Sequence, residues 1–251
     1  MRPVLLGLLG AALLESCGGD SPRGGDRTWD GAASTGRVRG VVRLVGDPPR
    51  RRRIDLGTDE FCRRANPGPV YSEEVLVGPR GGLKNVFVWV KRGLEGWRFP
   101  PPEGHVLVDQ KACRYVPRVT GARVGQEIRI HTSDDTQHNV QALPVRQRGF
   151  NVSQSKAGMV VRIAFYTPEV MVPLKCQLHG WMSAWIGVVP HPFFAVTDER
   201  GTFELPPLPP GDYTLDAWHE FYGRKAVAAT VEDRAVTQVA VEYAAGQPAG
   251  R

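Results

Sequence analysis

The sequence predicts an all-β chain, on three observations. Gly occurs 29 times and Pro 21 times in 251 residues, so turns are frequent. No long stretch repeats apolar residues at the spacing of a helix. Short runs rich in Val, Ile and aromatic residues recur between turn signals, as β-strands do. The chain is long enough for two small domains or one elaborated one. A net charge of +6 suits acidic partners or anionic surfaces, and with no nucleic-acid motif it does not argue for DNA or RNA binding.

Residues 1–16 read as a secretory signal. Arg2 supplies the positive start, and Val4 to Leu14 is an apolar run of eleven residues, too short for a membrane span of about twenty. Leu14-Glu-Ser-Cys17 then resembles a bacterial lipobox, which implies that Cys17 is lipidated and the protein is anchored to a membrane. The alternative is an ordinary signal peptide with a coincidental Cys; either way the chain is exported. Residues 17–36, rich in Gly, Ser, Asp and Arg, form a flexible tether.

Order begins at Gly36-Arg-Val-Arg-Gly-Val-Val-Arg-Leu-Val45, where Val38, Val42 and Leu44 alternate with charged or small residues. Gly40 interrupts the run, which suggests an edge strand closed by the turn Gly46-Asp-Pro-Pro49. Arg50 to Arg53 is a solvated basic loop or a docking patch. Asn85-Val-Phe-Val-Trp-Val90 is apolar on both faces and reads as a core strand, as does His105-Val-Leu-Val108. Five strands follow, at Glu127–His131, His138–Leu143, Met159–Phe165, Val170–Cys176 and Ala184–Val189; the period-two placing of Ile128 and Ile130 fits one face of a sandwich.

The chemistry concentrates in Cys176-Gln-Leu-His179-Gly-Trp-Met182. A thiolate, two imidazoles and a thioether form a ligand set suited to copper: the sulfurs favour Cu(I) and the imidazoles accept both oxidation states. Cys176, His179 and Met182 fit one tight loop between two strands, so the second imidazole comes from another strand, and His138 is the candidate. Zinc competes for Cys and His but takes Met poorly.

The pattern H-N-V … C-x2-H-x2-M, with Tyr115-Val-Pro117 and Val124 to Ile130 leading in, resembles the cupredoxins, or blue copper proteins, over roughly residues 105–190. The short ligand loop is most similar to that of the amicyanins. The resemblance implies one type 1 copper with His138, Cys176 and His179 as equatorial ligands and Met182 as the weak axial one. It also implies that Asn139 pins the ligand strands together, and that His179, its edge near solvent, is the electron port. Trp181 and Trp185 then either pack under the loop or form a docking rim. With Cys17 and Cys176 so used, Cys62 and Cys113 are left. In an oxidising compartment they pair most simply as a disulfide; two free thiols or a second metal site are the alternatives.

After Pro190 the sequence T-D-x-x-G-x-F … L-P-P-G-x-Y-x-L, with a hairpin turn at Asp198-Glu-Arg-Gly201, resembles the carboxypeptidase regulatory-like domain, a small transthyretin-like β-sandwich. Strands at Leu208–Leu215, Ala226–Val231 and Val236–Tyr243 belong to it. The opening strands of that family match Val38–Leu44 and Val86–Val90, far upstream. The expected organisation is therefore N-terminal strands of the regulatory-like sandwich at 37–92, a Greek-key cupredoxin sandwich at 93–190, the rest of the regulatory-like sandwich at 191–245, and a tail at 246–251. Nested and consecutive arrangements are both open.

Catalytic copper needs a second centre built from more histidines. His105, His131, His191 and His219 show no H-x-H pair, and no G-x-S-x-G, H-E-x-x-H or phosphate loop occurs. The expectation is a non-enzymatic one-electron carrier, periplasmic or on the cell surface, serving a redox partner such as a cytochrome c or a membrane oxidoreductase. A copper carrier or storage protein and a structural surface module are the rivals.

Overall fold

The structure is a computed structural model and describes residues 27–32 and 34–246. The signal at 1–16, Cys17, and most of the tether and tail lie outside the described residues. Apart from two minor two-stranded sheets, the strands are β1 (Arg37–Val45), β2 (Phe87–Arg92), β3 (His105–Gln110), β4 (Tyr115–Val116), β5 (Val119–Arg123), β6 (Glu127–Thr132), β7 (His138–Ala142) and β8 (Phe150–Gln154). They continue with β9 (Val160–Ile163), β10 (Glu169–Lys175), β11 (Ser183–Val189), β12 (Phe194–Val196), β13 (Thr202–Glu204), β14 (Gly211–His219), β15 (Gly223–Val231) and β16 (Val236–Ala244). A short helix, α1 (Glu60–Ala65), lies between β1 and β2. Among the described residues no helix is long and apolar enough to cross a membrane.

The chain is all-β, as the sequence predicts, and its strands form two sandwiches. The inner one faces the sheet β9-β6-β3-β4 against the sheet β8-β7-β10-β11-β5. In β6 the burial alternates residue by residue, with Ile128, Ile130 and Thr132 inward, because successive side chains of a strand point to opposite faces. The outer sandwich faces β12-β2-β14-β15 against β13-β1-β16. Its strands come from both sides of the inner one in sequence: β1 runs parallel to β16, and β2 pairs with β12 and β14.

Three local expectations need correction. β1 is the central strand of its sheet, not an edge. Gly40 is there because a Cβ would stand 2.5 Å from the Phe203 ring, so the apparent break is a seat for an aromatic side chain. The turn at Asp198–Gly201 forms, with Gly201 N–H donating to the Asp198 carbonyl, but it joins no hairpin. β12 before it pairs with β2 and β13 after it with β1, so the chain changes sheets there. The segment 37–92 is also divided: Leu56, Phe61 and Cys62 pack into the inner core, whereas β1 and β2 belong to the outer one.

β2 joins the sandwiches, which explains its apolar character on both faces. Val88 and Val90 lie in the outer core, while Phe87 and Trp89 cluster with Val119, Met171 and Val189 of the inner sandwich. β5 and β11 run parallel with Gly121 opposite Gly187. Together they leave a flat patch for rings: a Cβ on Gly121 would lie 2.2 Å from Phe194, and one on Gly187 would lie 2.4 Å from Phe87. Beside this patch the Arg118 guanidinium grips Glu220 at 2.5 and 2.8 Å, with both side chains nearly buried. Glu220 also accepts from the Trp185 indole at 3.2 Å.

Replacing Gly187 with Ala is expected to destabilise the protein by about 1–3 kcal/mol through overpacking. Urea unfolding checks this; an unchanged midpoint removes the ring-seating role.

Candidate metal centre

The sheet β8-β7-β10-β11-β5 brings the candidate ligands together. β10 and β11 form an antiparallel pair whose last partners are Lys175 and Ser183, so Cys176 to Met182 is the loop that joins them. Cys176 N–H donates to the Met182 carbonyl at 3.2 Å, and Met182 N–H donates to the His179 carbonyl at 2.9 Å, closing the loop on itself. β7 lies on the other side of β10, with Gln141 opposite Lys175. Its first residue, His138, therefore stands beside the loop. The Tyr115 hydroxyl clamps these two strands by donating to the carbonyls of Asn139, at 2.9 Å, and Lys175, at 3.3 Å.

His138, Cys176 and His179 offer donor atoms that all lie within 4.8 Å of one another. His138 Nδ1 is 2.9 Å from His179 Nδ1, and the latter is 3.7 Å from Cys176 Sγ. All three residues are buried, and Met182 is buried in the same apolar cluster as Cys176. Asn139 Oδ1 accepts from Gln177 N–H at 2.6 Å and sits 3.3 Å from Cys176 Sγ, so this side chain ties β7 to the ligand loop.

The distal nitrogens are both held by carboxylates. His138 Nε2 is 3.0 Å from Asp134 Oδ2, and His179 Nε2 is 3.1 Å from Asp59 Oδ2. Asp134 also accepts from the N–H groups of Ala112 and Cys113, each at 2.7 Å. Asp59 caps α1, accepting from Cys62 N–H at 2.7 Å, and accepts from the Thr136 hydroxyl at 3.0 Å. Cys62 and Cys113 are joined as a disulfide. A carboxylate beside each Nε2 favours a proton there, so that each ring, once neutral, presents its lone pair at Nδ1. Two such lone pairs facing each other beside a sulfur form a cage that fits a soft or borderline cation.

Electrostatics inside the cage favour charge separation. Burial pushes the Cys176 thiol up, but hydrogen bonds from His138, His179 and backbone N–H groups outweigh it and hold it at about 5. Burial pulls His138 down, but Asp134 and Cys176 outweigh it and lift the imidazole to about 9. His179 moves the same way, burial being overcome by Cys176 and Asp59.

Solved structures that match part of the chain include several copper proteins. A copper-containing nitrite reductase from Thermus scotoductus SA-01 is 20% identical at a TM-score of 0.32, over 40% of this chain and 25% of its own. A methionine-to-alanine mutant of amicyanin in its Cu(I) form is 15% identical at 0.31, over 35% of this chain and 85% of its own. A purple cupredoxin from Nitrosopumilus maritimus is 19% identical at 0.29, over 33% of this chain and 98% of its own. These likenesses assign no residue of this chain. No protein-family model and no curated protein matches the sequence.

Some expected positions need correction. His179 is only 5% exposed, because Asp59 and Cys62 cover its outer edge, so it is not a solvent-facing electron port. Trp181 packs against the His179 ring at 5.1 Å between centroids and donates its indole N–H to the Cys113 carbonyl. Trp185 belongs to the junction between the sandwiches, against Trp218 and Glu220, rather than to a rim. His131 bonds to Asp109. His191 and His219 occupy separate aromatic clusters, against Phe99 and Phe193 and against Tyr222 and Tyr243.

Sequence reading missed Asp59 and Asp134. The signal for Asp59 was the cap pattern Asp59-Glu-Phe-Cys62 ahead of a helical turn; Asp134 carried no comparable mark.

Burial pushes His191 down to about 4 against the pull of the Val90 carbonyl, and burial with nearby Arg118 pushes His219 down to about 3. In the unfolded chain both take up protons near pH 6.5, whereas the folded protein resists until pH 4 or 3. The unfolded state thus binds more protons, and stability falls as pH drops from about 6.5 through these values. Fully developed, the loss is on the order of 3 kcal/mol for His191 and of 5 kcal/mol for His219. His191→Gln is expected to flatten the acid limb of a stability–pH curve measured by urea unfolding; an unchanged slope removes the assignment.

Proposed function

We propose that this chain is an exported, non-enzymatic one-electron carrier built around a single type 1 copper, with His138, Cys176 and His179 as close ligands and Met182 as the weak axial one. The observation that carries the reading is the convergence of two Nδ1 atoms and one thiolate-forming sulfur within 4.8 Å, all buried, with Met182 on the same loop. Copper bound there supplies a Cu(II)/Cu(I) couple with no bond made or broken in the protein. The residues' part is to hold geometry. Tyr115 and Asn139 clamp β7 to the ligand loop, and the apolar cluster around Cys176 and Met182 excludes water. A cage so fixed keeps reorganisation between oxidation states small. The reading includes a lipid at Cys17 and a redox partner such as a cytochrome c or a membrane oxidoreductase. It also takes the outer sandwich as a transthyretin-like scaffold.

The burial of the ligands and the cover of His179 by Asp59 and Cys62 oppose a carrier that hands over copper, since such a site must open readily. Full-length protein loaded with Cu(II) is expected to show an intense thiolate-to-copper absorption band with narrow copper hyperfine splitting. Cys176→Ala is expected to abolish the band, while Met182→Leu keeps copper and shifts the midpoint potential. A Cys176→Ala variant that retains the band, or copper bound without the band, overturns the ligand assignment.

A further inference from the structure

The two ligand imidazoles are backed in the same way from opposite sides of one disulfide. On one side Cys62 N–H holds Asp59, and Asp59 holds His179 Nε2; on the other Cys113 N–H holds Asp134, and Asp134 holds His138 Nε2. The Cys62–Cys113 bond joins the two arms. Asp59 comes from the segment between β1 and β2, outside the strands of the inner sandwich. Asp134 accepts from two backbone N–H groups, Asp59 accepts from one and from the Thr136 hydroxyl, and each faces an imidazole Nε2.

We propose that Asp59 and Asp134 are positioning residues of the metal centre, which fix His179 and His138 with Nδ1 toward Cys176 and bias the bound metal toward its divalent state. The inference rests on the copper reading above. The orienting effect is direct: a carboxylate on Nε2 keeps the proton there, so Nδ1 is left as the ligand atom, and the ligand becomes more basic. The bias is electrostatic. The buried Asp134 carboxylate, the largely covered Asp59 carboxylate and the Cys176 thiolate bring negative charge to one place. A divalent ion compensates that charge better than a monovalent one, and the burial of these residues limits solvent screening of the difference. The disulfide keeps both arms in register.

The test uses the full-length copper-loaded protein and the variants Asp59→Asn, Asp134→Asn and Asp59→Glu. Mediated redox titration is expected to show Asp59→Asn and Asp134→Asn each raising the preference for Cu(I) over Cu(II) at least tenfold, about 59 mV upward for a one-electron couple. Asp59→Glu, which keeps the charge, is expected to stay near the wild type. In metal-free protein, 15N-edited NMR is expected to find slowly exchanging Nε2–H protons on both imidazoles, with Asp59→Asn losing protection at His179 alone. A Cu(I)-over-Cu(II) preference that stays within threefold of the wild type overturns the bias, and imidazoles without a proton on Nε2 overturn the orientation. If Asp134→Asn, at a fully buried position, fails to fold by near-UV circular dichroism, Asp59→Asn carries the test, because Asp59 is 23% exposed at its side chain. A wild-type protein that takes up no copper sinks the electron-carrier reading and the bias with it, and the NMR result then decides the orientation by itself.

Discussion

Two imidazole nitrogens facing each other at 2.9 Å beside a buried sulfur set the terms for the rest of the inner sandwich. Lone pairs so placed repel unless a proton or a metal ion lies among them, and the burial of all three residues limits relief by solvent. The surrounding structure holds them there all the same. β7 and β10 are locked by Tyr115, the loop is closed by its own backbone hydrogen bonds, and the far side of each ring is fixed to a carboxylate. A cage whose donors are already held together is organised before any ion arrives.

The outer sandwich reaches this cage through one corner. Arg118 precedes β5 and donates to the hydroxyl of Ser183, the residue that follows Met182, while its guanidinium is gripped by Glu220 from the turn between β14 and β15. A nearly buried ion pair leaves an uncompensated charge if one partner is lost, so the geometry there is stiff. The paired glycines of β5 and β11 let aromatic rings from the outer sandwich approach the inner backbone. Tight packing and a short polar bridge thus hold the end of the ligand loop next to a second core.

Much of the fold is legible because strand burial is written in local sequence. Ile128 and Ile130 alternate with polar residues as one face of a sandwich requires, and the unbroken apolar run Val86–Val90 marks a strand covered on both sides. What misleads is local too. Gly40 reads as an interruption until the Phe203 ring above it is known, and Asp198–Gly201 has the residues of a hairpin turn whichever sheet each flanking strand joins. β5 and β8 escape a reading by pattern: Gly121 breaks the apolar pattern of one, and the other exposes three of its five residues, so neither looks like a buried strand.

The sequence by itself determined the all-β class and the donor inventory, because strand patterning and ligand chemistry reside in residue types and short spacings. Cys176, His179 and Met182 had to lie close together, since a tight loop leaves them no other choice. Only the tertiary structure decided which His faces them, that His179 is covered rather than exposed, and that Asp59 and Asp134 stand behind the two rings. Asp134 stands only four residues before His138, but the contacts of His179 with Asp59 and with His138 join residues 120 and 41 positions apart. They depend on which strands become neighbours and on where a disulfide draws α1, and no local pattern carries that information.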